Sequence, residues 1–482
     1  MLMAGLASCK KDYLETAPTD ATSASAAFST MANAWATING IHRSLYFQYY
    51  SQQEQGGQCA NMIYMDMMGE DLVNTTAGNG WYISTYRWTS HRSATGIVPY
   101  FNYLFYYAII ANTNMIIANI ENTPGLQADR NVIKGQAYAY RGWAYYQMIQ
   151  LFGIRYDAAT ANDNPGIPLV TNIDPTPRPR STVAQVYTQI NADLDQAITL
   201  LTGGAARANK SHLDVSVARG IKARVALTQQ NWGLAASMAN AARQGYTLMT
   251  SAQYLLGFND YSNSEWMWGS HQQADQTTSF YSYFAFMSAD FNSTNVRTNP
   301  KAINSLLYAQ IPATDVRKQL WDPTGTNTTF PIPPGGVRKA YMTKKFLSGG
   351  GSGSSIGDVP NMRAAEMYLI EAEAKARLGD ATAANVLFQL VSKRDPSYVQ
   401  SVNTGQALLD EILLYRRIEL WGEGFRFLDL KRMNLPLNRN GGNHDAAVAV
   451  IFNVPAGDKL WQYLIPQSEI DNSNKLVTQN PL

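Results

Sequence analysis

Glu419 and Glu423 form the pair in this chain most suggestive of catalysis. They lie in Arg416-Arg417-Ile418-Glu419-Leu420-Trp421-Gly422-Glu423-Gly424-Phe425-Arg426-Phe427-Leu428-Asp429-Leu430-Lys431-Arg432, the densest mixture of charge and large apolar residues in the sequence. Two carboxylates act as general acid and base when their surroundings push their pKa values apart. Here Arg416 and Arg426 recur at helical spacing, and a cation beside each carboxylate holds it ionised. A structural ion network is the better reading. On a helix, Ile412, Tyr415, Ile418, Trp421, Phe425 and Leu428 form an apolar stripe, and Arg416, Glu419, Glu423, Arg426, Asp429 and Arg432 form a charged one. The stretch is expected to be a scaffold helix whose charges lock the C-terminal region onto the rest of the chain. Gly422 and Gly424 each cost about 1 kcal/mol relative to Ala inside a helix, so they mark a break or a close backbone approach.

Other catalytic or metal chemistry finds little support. His42, His91, His212, His271 and His444 are scattered, with no ligand spacing for zinc. A Gly-x-Ser-x-Gly match surrounds Ser355, but it lies in the run SGGGSGSSIG, without the strand and helix that a nucleophile elbow requires. No Gly-Lys-Ser/Thr closes that run as a phosphate cradle would. Glu366, Glu371 and Glu373 share a predicted helix with Lys375, close to Arg363, which favours an ion-paired or solvated face. No cofactor motif occurs, so neither cofactor nor metal is expected.

The two cysteines exclude a disulfide framework. Leu6-Ala7-Ser8-Cys9 has the form of a lipoprotein processing box, with Cys9 as the residue that receives lipid. Residues 1–8 are short for a signal peptide and lack a basic n-region, so they are read as the end of a longer signal. Cys59 is expected to be a small buried residue. No apolar run is long enough to span a bilayer, so the expected attachment is a lipid tether.

Composition points to an uncharged ligand. Only 15% of the 482 residues are charged, net charge is +2, and aromatic residues make up 11%, with Tyr 28 and Trp 10. Nucleic acid would require a dense basic face. Sugar rings stack their C–H faces on aromatic rings while amides satisfy their hydroxyls. Candidate ligand residues are Trp81, Tyr82, Trp88, Tyr281 and Tyr283, with Asn79 as a polar partner. Trp266 and Trp268, two apart on a short strand, are read as core.

These residues must be positioned by a mostly helical frame. Helical periodicity covers residues 26–50, 99–120, 128–151 and 183–201. Residues 215–228 with 232–243, and 363–377 with 381–391, read as helical hairpins whose alanines allow close approach. Leu378-Gly379-Asp380 before an Ala-rich second helix resembles a tetratricopeptide unit, which must stack on neighbours to cover its apolar face. Residues 61–93 show no regular pattern. Residues 250–360 are rich in Gly, Asn, Ser, Thr and Pro, with a short strand at 265–270. The fold class is mainly α: a tetratricopeptide-like scaffold with loop-rich insertions and a few short strands. Residues 9–25 form a lipid-anchored tether and 26–482 one domain. Within that domain the scaffold covers about 26–249 and 361–433, the ligand-face insertion about 250–360, and a docking tail about 434–482.

Several segments in order resemble the SusD/RagB family of Bacteroidetes surface lipoproteins. They are Cys9-Lys10-Lys11-Asp12-Tyr13-Leu14-Glu15; residues 141–153; Gly166-Ile167-Pro168-Leu169; Arg363 with Glu366-Met367-Tyr368-Leu369-Ile370-Glu371-Ala372; residues 416–432; and Ile465-Pro466 to Glu469-Ile470 with Gln479-Asn480-Pro481. Tyr146-Gln147 departs from the more apolar continuation expected there. The resemblance implies a non-catalytic, lipid-anchored protein at the outer-membrane cell surface. It would bind oligosaccharide or polysaccharide and deliver it to a SusC-like TonB-dependent transporter, with loops and small strands forming the ligand face. Alternatives are a peptide-binding RagB-like lipoprotein and a helical-repeat adaptor without a small ligand. A helical glycosidase is disfavoured because no unpaired carboxylate pair is evident.

Overall fold

The computed structural model describes residues 24–49, 52–276 and 280–482. Cys9 and most of the expected tether lie outside the described residues. Among those described, the helices of seven residues or more are α1 (Met31–Ser44), α2 (Gly57–Met67), α3 (Ile97–Asn119), α4 (Gln127–Phe152), α5 (Val183–Leu201), α6 (Val215–Thr228), α7 (Trp232–Ala242), α8 (Ala364–Arg377), α9 (Ala383–Val391), α10 (Gly405–Glu419) and α11 (Arg426–Arg432). From α3 to α9 each helix packs on the next, and α8 also packs on α10.

Local sequence sets the boundaries. Thr182 accepts from Gln185 N while the Gln185 side chain accepts from Thr182 N, a capping box that starts α5. Val186, Ile190, Leu194 and Leu201 then face the core. Asn231 caps α7 by accepting from Leu234 N. Gly379, at φ 71, makes the left-handed turn between α8 and α9. These are the expected helical hairpins, and the mainly α architecture agrees with the sequence reading.

Short strands tie the loops to this frame. β1 (Leu72–Asn74), β3 (Lys301–Ile303), β5 (Met342–Thr343) and β4 (Trp321–Asp322) form an antiparallel sheet in the order β1-β3-β5-β4. Asn74 pairs with Lys301 at the end of β1, so the chain leaving β1 and the chain entering β3 emerge side by side. β2 (Trp266–Ser270) pairs with β6 (Val359–Arg363), with a register shift between Trp266 and Trp268. Both tryptophans are core, as expected. A last pair joins β7 (Leu437–Asn438) to β8 (Asn453–Val454).

Two expectations are corrected. Residues 57–67 are helical, whereas residues 61–93 were expected to be irregular. Every residue of α2 except Gln58 is buried, so α2 has no amphipathic period to betray it. Residues 416–432 are two helices with a turn between, not one. Gly422 at φ 81 and Gly424 at φ 85 make the turn. A Cβ on Gly424 would sit 2.7 Å from Met62 Cα, so the break and the close approach occur together. The C-terminal segment packs against α4: Tyr463 N donates to Leu151 O at 2.9 Å and Asn480 Nδ2 to Phe152 O at 2.7 Å.

Candidate functional site

Glu419 and Glu423 lie at the centre of a buried ion network. Glu419 Oε1 accepts from Arg363 Nη1 at 2.9 Å and Arg394 Nη2 at 3.1 Å, and its Oε2 accepts from Arg317 Nη1 at 3.0 Å. Glu423 accepts from Lys345 Nζ at 2.7 Å and from Arg363 Nε and Nη2 at 2.8 and 2.7 Å. Glu265 also accepts from Arg363 and Arg394, Arg394 Nη1 donates to Met249 O, and Asp315 pairs with Arg317. Burial pushes both glutamates up, but the surrounding cations win. Arg394, Arg363 and Arg317 hold Glu419 well below the usual carboxylate range, and Arg363 and Lys345 lower Glu423. Neither glutamate is available as a proton donor at neutral pH. Glu366, Glu371 and Glu373 are consumed likewise, by Arg224, by Arg243 with Lys375, and by Arg432 with Arg377.

The partners along residues 416–432 follow from the turn rather than from one helical stripe. Arg416 and Arg432 both pair with Asp429 at 2.7 Å. Arg417 reaches Asp71 at 2.6 Å and Arg426 reaches Glu70 at 2.5 Å. The stretch is thereby bolted to the segment after α2, which leads directly into β1.

Beyond β1 and β3 the loops gather into one face. The Asn79 side-chain oxygen accepts from Asn295 Nδ2 at 2.9 Å. Glu54 accepts from Tyr82 N at 2.7 Å, and Gly56 lies against the Tyr281 carbonyl, where a Cβ would come within 2.7 Å of the oxygen. Residues 54–56 thus bridge the loop carrying Trp81 to the loop carrying Tyr281. Ser282 Oγ donates to Ser355 O, and Asn292 N to Ser352 O, which draws in the Gly/Ser loop. Val337 N donates to Arg297 O. Phe280, Val337 and Asn79 are exposed on this face; Trp81 and Tyr281 are half-buried.

Asn79 and Trp81 share one loop, which residues 54–56 link to the loop of Tyr281, whereas three other candidates are withdrawn into the core. Tyr82, Trp88 and Tyr283 are core residues in this structure, so their rings are not presented to a ligand. Tyr82 adopts φ 59, which turns its ring inward to 4.5 Å from Phe286 and 5.2 Å from Tyr64. Trp88 donates from Nε1 to Met68 O and meets Trp461 edge-on at 4.8 Å. The Tyr283 hydroxyl donates to Gly422 O and its ring meets Phe346 at 5.1 Å. Aromatic side chains in a loop read alike whether they point in or out. What sequence reasoning missed is the buried asparagine and lysine support beneath the face: Asn295, Asn299 and Lys301. The spacing of Asn292, Asn295 and Asn299 by three and four residues was the available signal.

Ser355 is buried beside a single helical turn at Gly351–Gly353, with no helix following it. Cys59 is buried, and burial raises its thiol to about 12. Among the described residues no cluster of three or more His, Cys, Asp or Glu can hold a metal ion, and no helix is long and apolar enough to cross a membrane.

A family model described as "SusD family" matches residues 228–482, more than half the chain. The chain belongs to the SusD family. A second family model, described as "Starch-binding associating with outer membrane", matches residues 12–227. No match was found among curated proteins. A SusD-like carbohydrate binding protein from Bacteroides vulgatus is 27% identical, with a TM-score of 0.80 over 93% of this chain and 98% of its own. A SusD superfamily protein from Bacteroides thetaiotaomicron is 26% identical, with a TM-score of 0.79 over 94% of this chain and 100% of its own. A laminarin binding SusD-like protein shares the fold at 19% identity, with a TM-score of 0.71 over 94% of this chain and 100% of its own. The SusD-family scaffold accounts for the helical pairs, the strands and the docked tail.

Proposed function

We propose that this SusD-family chain is a non-catalytic glycan receptor at the outer-membrane surface. It is tethered there by lipid on Cys9 and hands oligosaccharide to a SusC-like TonB-dependent transporter. The observation that carries the reading is the loop face: half-buried Trp81 and Tyr281 with exposed Phe280, beside the amide of Asn79. Rings supply apolar area for sugar C–H faces, and the amide supplies directional hydrogen bonds. The description of the second family model, starch-binding and outer-membrane associated, supports both ligand class and location. A carbohydrate binding relative of the same fold at 27% identity supports the ligand class further. The non-catalytic assignment is supported by the ion network, which leaves Glu419 and Glu423 ionised and enclosed.

The test is calorimetry of the soluble chain against a panel of glucans, including starch oligosaccharides and laminarin, with mannans, xylans and pectins. Saturable binding without release of shorter sugars is expected. The transporter is tested by detergent co-purification from native outer membranes. Lipid attachment is tested by radiolabelled palmitate incorporation, which Cys9→Ala should abolish.

A further inference from the structure

Beneath the loop face lies a buried lysine whose three N–H groups are all aimed. Lys301 begins β3 and is 2% exposed. Its Nζ lies 2.9 Å from Asn295 Oδ1, 2.7 Å from the Asn299 carbonyl oxygen, and 3.9 Å from the centre of the Phe286 ring. With no carboxylate paired to it among the described residues, burial pushes Lys301 well below the usual lysine range. The two oxygens and the ring face nevertheless each call for an N–H, which is the ammonium arrangement.

An ammonium only donates, and that fixes the direction of everything attached to it. Asn295 must present Oδ1 to Lys301, so its Nδ2 faces away and donates to Asn79 Oδ1 at 2.9 Å. Trp81 N also approaches Asn79 Oδ1, at 3.5 Å. The Asn79 oxygen is therefore committed twice within the protein, and no protein group among the described residues accepts from its Nδ2. A second branch holds the same loop. Asn299 Oδ1 accepts from Thr76 N at 3.2 Å, and Asn299 Nδ2 donates to Asn74 Oδ1 at 3.1 Å. The oxygen and nitrogen ends of a side-chain amide are told apart by their hydrogen-bond partners; here the cation at the buried end decides the orientation.

We propose that Lys301 is a positioning residue that sets the polarity of the chain Lys301–Asn295–Asn79 and makes Asn79 a dedicated donor to a ligand oxygen. The chemistry selected at that point is an acceptor: a ring, glycosidic or hydroxyl oxygen. This rests on the glycan-receptor reading of the same face.

Two substitutions that preserve side-chain size test it, using the tightest glycan from the panel. Asn79→Asp keeps an oxygen for Asn295 to donate to but removes the outward donors, and about tenfold weaker binding is expected. Asn295→Asp gives Lys301 a charge partner, so the protein should melt no lower than wild type. Its carboxylate cannot donate to Asn79, whose amide turns over, and binding should weaken about five- to tenfold. Because both changes act through one amide, Asn295→Asp should add less than about twofold on an Asn79→Asp background. Wild-type affinity in Asn295→Asp, or losses that multiply, would overturn the proposal. Side-chain amide exchange by NMR decides it without ligand: the Asn295 NH2 should exchange slowly and the Asn79 NH2 at the solvent rate. The reverse order would also overturn it. If wild type binds no glycan, the receptor reading falls, while the exchange rates still decide the role of Lys301.

Discussion

Arg363 Nη1 lies 2.9 Å from Glu419 Oε1, and both side chains are fully enclosed. Arg363 ends the strand that leads into α8, and Glu419 ends α10. The contact therefore staples the helical hairpins to the C-terminal turn. Removing one member of a buried pair strands the other's charge at a cost of about 3–5 kcal/mol. Arg363→Met is expected to lower unfolding free energy by that order in urea denaturation, with the folded fraction still binding glycan. Arg426→Ala should act in the same direction, since it leaves Glu70 with Arg417 alone at 3.8 Å. A normally stable variant that had lost binding would move these residues into the ligand site.

Acid should unfold the protein through the same network. Glu419, Glu423 and Asp429 have folded pKa values lowered by their cations, Asp429 to about 2. The stability from lowered carboxylates is fully present above their unfolded values of about 4 to 4.5 and is lost as pH falls through the folded ones. Asp66 runs the other way. Burial raises it to about 7 although Gly424 N and Arg426 N donate to it. It therefore costs stability progressively as pH rises from about 4 to about 7. Thermal melts should fall steeply below pH 4, and Asp66→Asn should flatten the slope between about pH 4 and about pH 7. An unchanged slope would remove Asp66 as its source.

Gly424→Ala and Gly379→Ala separate two costs of the left-handed conformation. Gly379 has open space where a Cβ would point, so the change costs only the backbone penalty of about 1 kcal/mol. Gly424 faces Met62 Cα at 2.7 Å, so its substitution should cost clearly more. Equal costs in denaturant titrations would show that the turn relaxes freely.

The buried candidates should separate from the surface ones. Trp88→Ala removes a core ring and should cost about 3–5 kcal/mol of stability, with little change in the affinity of the folded fraction. Loss of affinity at full stability would return Trp88 to the ligand site.

The scaffold was readable because its signals are local. Ser181-Thr182 is a natural N-cap ahead of α5, Gly379 announces the hairpin turn, and alanine spacing announces close helix pairs. α2 was unreadable because its burial is nearly complete, leaving no polar face to give a period. The break at Gly422 and Gly424 was signalled, but the partners of Glu419 were not. Arg317, Arg363 and Arg394 lie 25 to 102 residues away in the chain, and only the fold brings them in. At the candidate face the types of residue were legible and their directions were not. Trp81 and Trp88 belong to the same apparently irregular stretch of sequence, yet one is half-buried and the other sits between Trp461 and Met68.

The most direct test of the glycan-receptor account is calorimetry of wild type and the Trp81→Ala/Tyr281→Ala double variant against the same glycan panel, with melting curves to confirm folding. Wild type should bind at least one glycan saturably, and the double variant should fold normally and lose about tenfold or more in affinity. No binding by wild type across the panel, or undiminished binding by the double variant, would contradict it.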